Sequence, residues 1–261
     1  MPAVRWETLR QEAQALAAST GQPEAFLAQW ETLLKRYADR TRRRGQGVSP
    51  LRIPAYHLAP AVLATVWQGL RLHLESRPDL VFPLADALWA RPDLESRLLA
   101  ARLLGMAPLT SPDKVLHRLQ DWLAHAPDPT LIRALLQHAT LRLTTEMPQA
   151  YLNALAKALA LPETTPLALQ MLVPLLQNPT FENLPTVLRH LTPLLTPPNK
   201  AWHPELAAVL QAMVQRWPEE AAPYLRGLWQ STPSDSLAWL IRRILPLLPT
   251  AHATTLRALL R

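Results

Sequence analysis

The chain has 261 residues, 49% of them hydrophobic, with 27 basic and 20 acidic side chains and a formal charge of +7. That length and apolar content suit a soluble globular protein with a real core and exclude a disordered one. The absence of cysteine removes disulfides, zinc–thiolate sites and thiol nucleophiles, and is compatible with a reducing compartment.

The first segment, "MPAVRWETLRQEAQALAAST", carries Glu7, Arg10 and Glu12 where a signal peptide needs an apolar run. No window reaches the roughly 18 unbroken apolar residues of a spanning helix. A cytoplasmic protein without membrane contact is therefore expected. "AVRWETLRQEAQALAAS" and "PEAFLAQWETLLKRYA" read as a capping helical hairpin.

Next comes "RTRRRGQGVSPLRIP", residues 40–54, with Arg40, Arg42, Arg43, Arg44 and Arg52 beside two of the six glycines. This loop reads either as a set of phosphate contacts or as a solvated linker whose charge keeps the chain soluble. "IPAYHLAPAVLATVWQGLRLHL" then predicts one helix broken near Pro60, or two. Residues 1–77 form the expected N-terminal cap and basic loop.

From residue 78 a repeat emerges. "PDLVFPLADALW", "PDKVLHRLQDWL", "PQAYLNALAKAL", "FENLPTVLRHLT" and "PEEAAPYLRGLW" begin at 78, 112, 148, 181 and 218, a period of 33 to 37 residues. Each opens with proline or another helix-compatible first turn and continues with apolar residues three and four apart. Each is followed by a second helical segment: "LESRLLAARLLG", "PTLIRALLQHATLRL", "TPLALQMLVPLLQ", "HPELAAVLQAMVQRW" and "SLAWLIRRILPLL". Helical pairs at this spacing predict an all-α fold, an α-solenoid of HEAT-like repeats over 78–261 forming a right-handed superhelix. Pro83 and Pro185 fall in first turns, whereas Pro174 and Pro246 are expected to kink their helices.

Motifs for nucleotide phosphate loops, dinucleotide binding, metalloproteolysis and nucleophile elbows are absent. His117, Asp121 and His125 recur every four residues, as metal ligands can, but lie opposite the leucine stripe and read better as a solvated face. Neither a metal nor a cofactor is expected. Trp122 and Trp229 fit core positions; Trp6, Trp202 and Trp239 fit none clearly.

The charge has a direction. Residues 1–145 hold 18 basic and 13 acidic side chains, a net +5, against 9 and 7, a net +2, for the remainder. Arg97, Arg102, Arg133, Arg142, Arg242 and Arg243 all fall on second segments, which in stacked pairs line the concave surface. As a set they predict a basic groove for duplex DNA; singly, each also fits a bridge between repeats.

Residues 37–105 resemble the DNA alkylation repair family, the HEAT-like alkylpurine DNA glycosylases. The likeness rests on Gly47-Val48, Pro50 and Arg52, then Leu88-Trp89, Glu95 and Arg97. It implies a solenoid that grips duplex DNA in a basic cleft. Active members also carry a segment like Asp-x-Trp-x-x-x-Asp. Here "DWLAHAPDPTLIRALLQ" places Asp128 at the first position, Thr130 where tryptophan is expected, and Arg133 or Ala134 where the second aspartate is expected. Asp128 is thus the catalytic candidate, although at a helix start it also reads as a cap. The expectation is a monomer that binds duplex DNA with weak or no base excision. The alternatives are a HEAT-type scaffold with a protein partner on its concave face and an active alkylpurine glycosylase.

Overall fold

A computed structural model of the chain describes residues 5–39, 52–110 and 112–260. Every regular element in it is helical, and no strand forms among the described residues. The residues cluster into two compact units, Met1–Arg142 and Leu143–Arg261.

In the first unit, α1 (Trp6–Ala18) and α2 (Pro23–Tyr37) form the expected hairpin, followed by α3 (Pro60–Glu75). α3 packs on α1. Gly69 makes their approach close, since a Cβ there would stand 3.3 Å from that of Ala13. α4 (Val81–Trp89) and α5 (Leu94–Leu104) make the first helical pair. Asp93 caps α5 by accepting the Ser96 amide at 2.9 Å, and the buried Trp30 of α2 donates its indole N–H to the Ser96 hydroxyl at 2.8 Å. α6 (Pro112–Ala124) and α7 (Pro129–Ala134) follow. Six of these helices and their successors begin on a proline, whose fixed φ suits the first turn and whose missing N–H costs no bond there.

The second predicted segment of that pair does not continue as one helix. After α7 the backbone widens into a π-helical turn, Leu135–Ala139, before α8 (Leu141–Glu146). In the second unit α9 (Pro148–Leu159) and α10 (Thr165–Gln177) pair; α11 (Leu184–Leu195), which packs on α9, and α12 (His203–Arg216) follow, and α13 (Pro218–Ser231) pairs with α14 (Asp235–Ile244). α15 (Thr250–Leu259) ends the chain and packs on α13. Second segments also pack on the next second segment: α5 on α7 in the first unit, α10 on α12 and α12 on α14 in the second. Pro174 is carried inside α10, but at Pro246 the helix stops: α14 ends at Ile244 and a 3-10 turn, Leu245–Leu247, follows. Tyr151 of α9 is fully buried and donates its hydroxyl to the Met171 carbonyl at 2.9 Å.

The expected helix at "IPAYHLAP" is the clearest departure. Residues 53–59 are non-helical, and α3 starts only at Pro60. Pro54 and Pro60 lack the amide that a helix would use, and each biases its predecessor toward extended backbone. Two buried carboxylates hold the resulting strap. Asp128 accepts the Arg52 amide at 3.0 Å, while Glu95 accepts those of Tyr56 at 3.1 Å and Leu58 at 3.3 Å. The Leu94 amide donates to the Pro54 carbonyl at 2.9 Å, and Ile53 packs with Leu94 and Leu131 in a small core. Between the two amides held by Glu95, His57 sits at φ 56°, a left-handed conformation that costs a non-glycine residue about 1–2 kcal/mol. The clamp on either side offsets that cost.

Candidate functional site

Arg40, Arg42, Arg43 and Arg44 lie outside the described residues. The other predicted DNA contacts divide by what their guanidinium groups touch. Arg97 donates from Nε to the carbonyls of Trp89, at 3.1 Å, and Arg91, at 2.9 Å, and lies over the Trp89 ring. It thus braces the end of α4. Arg142 donates to the carbonyls of Met106, at 3.3 Å, and Ala107, at 3.2 Å, closing the turn after α5. Arg52, Arg133, Arg242 and Arg243 are exposed, with Arg242 reaching the Leu260 carbonyl at 3.5 Å. Arg102 alone is half-buried without a hydrogen bond or ion pair to any described residue. Burial holds its pKa below the usual guanidinium range.

Asp128, the catalytic candidate, is 4% exposed. One of its oxygens accepts the Thr130 amide at 2.8 Å as the cap of α7, and the other accepts the Arg52 amide. Burial alone would push its carboxyl up, but these backbone donors outweigh burial and hold the pKa below the ordinary aspartate value. Both oxygens are engaged by main chain, which is the chemistry of a tether. Glu95, whose sequence position near a helix start gave no hint of it, has the same role.

His117 and Asp121 on α6 and His125 just after it all lie exposed, and no group of three metal-ligating side chains forms among the described residues. Trp122 is buried and stacks on Trp89, ring centroids 4.5 Å apart. Trp229 is half-buried and donates to the Leu259 carbonyl at 3.0 Å. Trp6 and Trp239 are exposed, and Trp239 stacks on His203 at 4.9 Å.

The unpartnered Arg102 opens onto a cavity of about 1070 Å³ in the first unit. α3 supplies Trp67, Arg71, Leu74 and Glu75 to its wall; the end of α5 supplies Arg102 and the turn after it Met106. The loop that follows adds Pro108 and Leu109, the π-helical turn adds His138, and Arg142 completes the lining. Two local features make this possible. Gly105 lets α5 end against the π-helical turn, because a Cβ there would stand 2.2 Å from the His138 carbonyl oxygen. The π-helical turn adds a residue to the helix circumference, a device that commonly re-aims side chains at functional sites. His138 is held below the ordinary histidine range, first by burial and second by the Arg102 cation. Three arginines, Arg71, Arg102 and Arg142, thus line the cavity, the last engaged by carbonyls, and among the described lining residues Glu75 is the one carboxylate. That carboxylate is paired at 3.5 Å with Arg71 at an exposed position, where such pairs contribute little.

Comparison of the chain with protein-family profiles, with curated proteins and with solved structures finds no match. Among the described residues no helix is long and apolar enough to cross a membrane.

Proposed function

We propose that the chain is an α-solenoid of HEAT-like helical pairs that binds duplex DNA through its phosphate backbone, with little sequence preference and weak or no base excision. One observation carries this reading. Second segments of successive pairs pack on one another, and in the first unit these helices carry Arg102 and Arg133, neither with a carboxylate partner among the described residues. Stacked helical pairs of this kind bury a continuous core and present one helix of each pair along a single face. Arginines on such a face release counterions when they meet phosphate, whatever the base sequence. The exposed Arg52 and the four arginines at 40–44 extend the charge, and the resemblance of residues 37–105 to the DNA alkylation repair family points the same way.

Duplex affinity measured against salt tests the proposal. The log–log slope should be steep, about −0.9 for each phosphate neutralised, and Arg133→Ala should flatten it by about one such step. Absence of binding at low salt would remove DNA as the partner. The alternative is then a protein-binding scaffold, favoured by the exposed Trp6, Leu161 and Trp239.

A further inference from the structure

We propose that the cavity of the first unit binds a phosphate monoester carried on a planar, weakly polar body, the chemistry of a nucleoside monophosphate. This goes beyond backbone binding of duplex DNA and does not depend on it, since every wall of the cavity belongs to the first unit.

The argument begins with Arg102. A guanidinium removed from water ordinarily finds a carboxylate or a carbonyl, because an unpaired buried charge is costly. Its neighbours Arg97 and Arg142 follow that rule by binding carbonyls. Arg102 is half-buried and has neither among the described residues. Its planar fork of donors matches phosphate oxygens two at a time.

The surrounding charges select the ligand further. Arg71 also lines the cavity, where Glu75, its exposed ion-pair partner, is the one carboxylate among the described lining residues. His138 adds a group that is neutral beside an empty Arg102 and that gains a proton when an anion compensates the cation. A dianion draws on both, whereas a monoanion leaves the second donor unused. The body of the ligand is set by the remaining wall: Trp67 offers an aromatic face, and Met106 and Leu109 are apolar. Aromatic faces stack bases without regard to their identity. A cavity of about 1070 Å³ is at the upper end of small-molecule sites, ample for a mononucleotide.

The phosphate could arrive on a free nucleotide or on the terminal nucleotide of a strand, and the probes separate these. Calorimetric titration with adenosine 5′-monophosphate, adenosine and inorganic phosphate covers the first. Duplexes with a 5′-phosphate or a 5′-hydroxyl end cover the second. Saturable binding of the monophosphate, with adenosine at least about 10-fold weaker, is the expected result. Arg102→Met, which keeps the aliphatic stem, should weaken it about 10- to 100-fold, the loss typical of a hydrogen bond to a charged group. If instead only the phosphorylated duplex gains affinity, and Arg102→Met erases that gain, the strand terminus is the source and the site stands.

The His138 ring resonance gives a readout that needs no variant. Bound monophosphate should raise the pH at which it titrates. Equal affinity for adenosine and its monophosphate, indifference to Arg102→Met, or an unmoved His138 would each overturn the assignment. Arg133→Ala serves as the control: it should weaken duplex binding and leave the monophosphate untouched, so the two proposals fail separately.

Discussion

Replacing Asp128 with alanine removes the acceptor that joins the strap to α7 and the acceptor that caps α7 itself. Loss of the cap on Thr130 costs about 1 kcal/mol. The bond to the Arg52 amide is charge-assisted, and such bonds contribute about 1.5–3 kcal/mol. The Arg52 side chain is exposed, so water replaces part of this bond, and a total near 2–3 kcal/mol is expected from these two losses. For a unit of this size each kcal/mol moves the melting midpoint by about 3–4 °C, so the first transition should fall by roughly 6–12 °C. Helical ellipticity against temperature reads this directly. Asp128→Asn keeps an acceptor and loses the charge, and should fall by about half as much. pH sharpens the test. The folded-state pKa of Asp128 lies below its ordinary value of 3.8, so its contribution is complete above that pH and disappears as pH drops through the folded value. The gap between wild type and Asp128→Ala should therefore be constant near neutrality and close in strong acid. A melting midpoint within about 2 °C of wild type at pH 7 would refute the tether and return Asp128 to the pool of free carboxylates.

Two glycine substitutions should move stability in opposite directions. Gly105→Ala drives a Cβ to within 2.2 Å of the His138 carbonyl oxygen and should destabilise the first unit by about 2–3 kcal/mol, whereas Gly227→Ala in α13 meets open space and should stabilise by about 0.5–1 kcal/mol; chemical denaturation measures both. His138 titrates below its ordinary 6.5 in the folded state, so the unfolded chain holds more protons between the two values and stability should decline as pH falls below about 6.5. His138→Gln should lose that part of the decline, and an unchanged acid profile would contradict the burial and charge assigned to the ring. On duplex DNA holding an N-methylated purine, single-turnover release of free base should be at least about 10²–10³ slower than with an unengaged carboxylate in place. Release at a rate that Asp128→Asn abolishes would show that Asp128 leaves its tether to do chemistry.

Local pattern determined the helices. Leucines three and four apart and prolines at first turns act within one turn of chain, so the boundaries of α9, α10 and α12 follow from the residues themselves. The cap role of Asp128 was legible for the same reason, as was the excess of positive charge over the first half. Tertiary structure decided everything that depends on partners far along the chain. Apolar alternation cannot show that residues 53–59 stay non-helical, because Asp128 holds the Arg52 amide and Glu95 those of Tyr56 and Leu58 from 37 to 76 positions away. Nor does an arginine's place on a second segment reveal its partner: Arg97 and Arg142 are engaged by carbonyls, while Arg102, on the same helix as Arg97, is left half-buried beside a cavity. Trp67, Arg71 and His138 carried no motif, and they meet Arg102 only because Gly105 permits a close approach and a π-helical turn re-aims one ring. Helix formation is settled by neighbours a turn apart; the pairing of charges is settled by whichever groups the packed helices bring within reach.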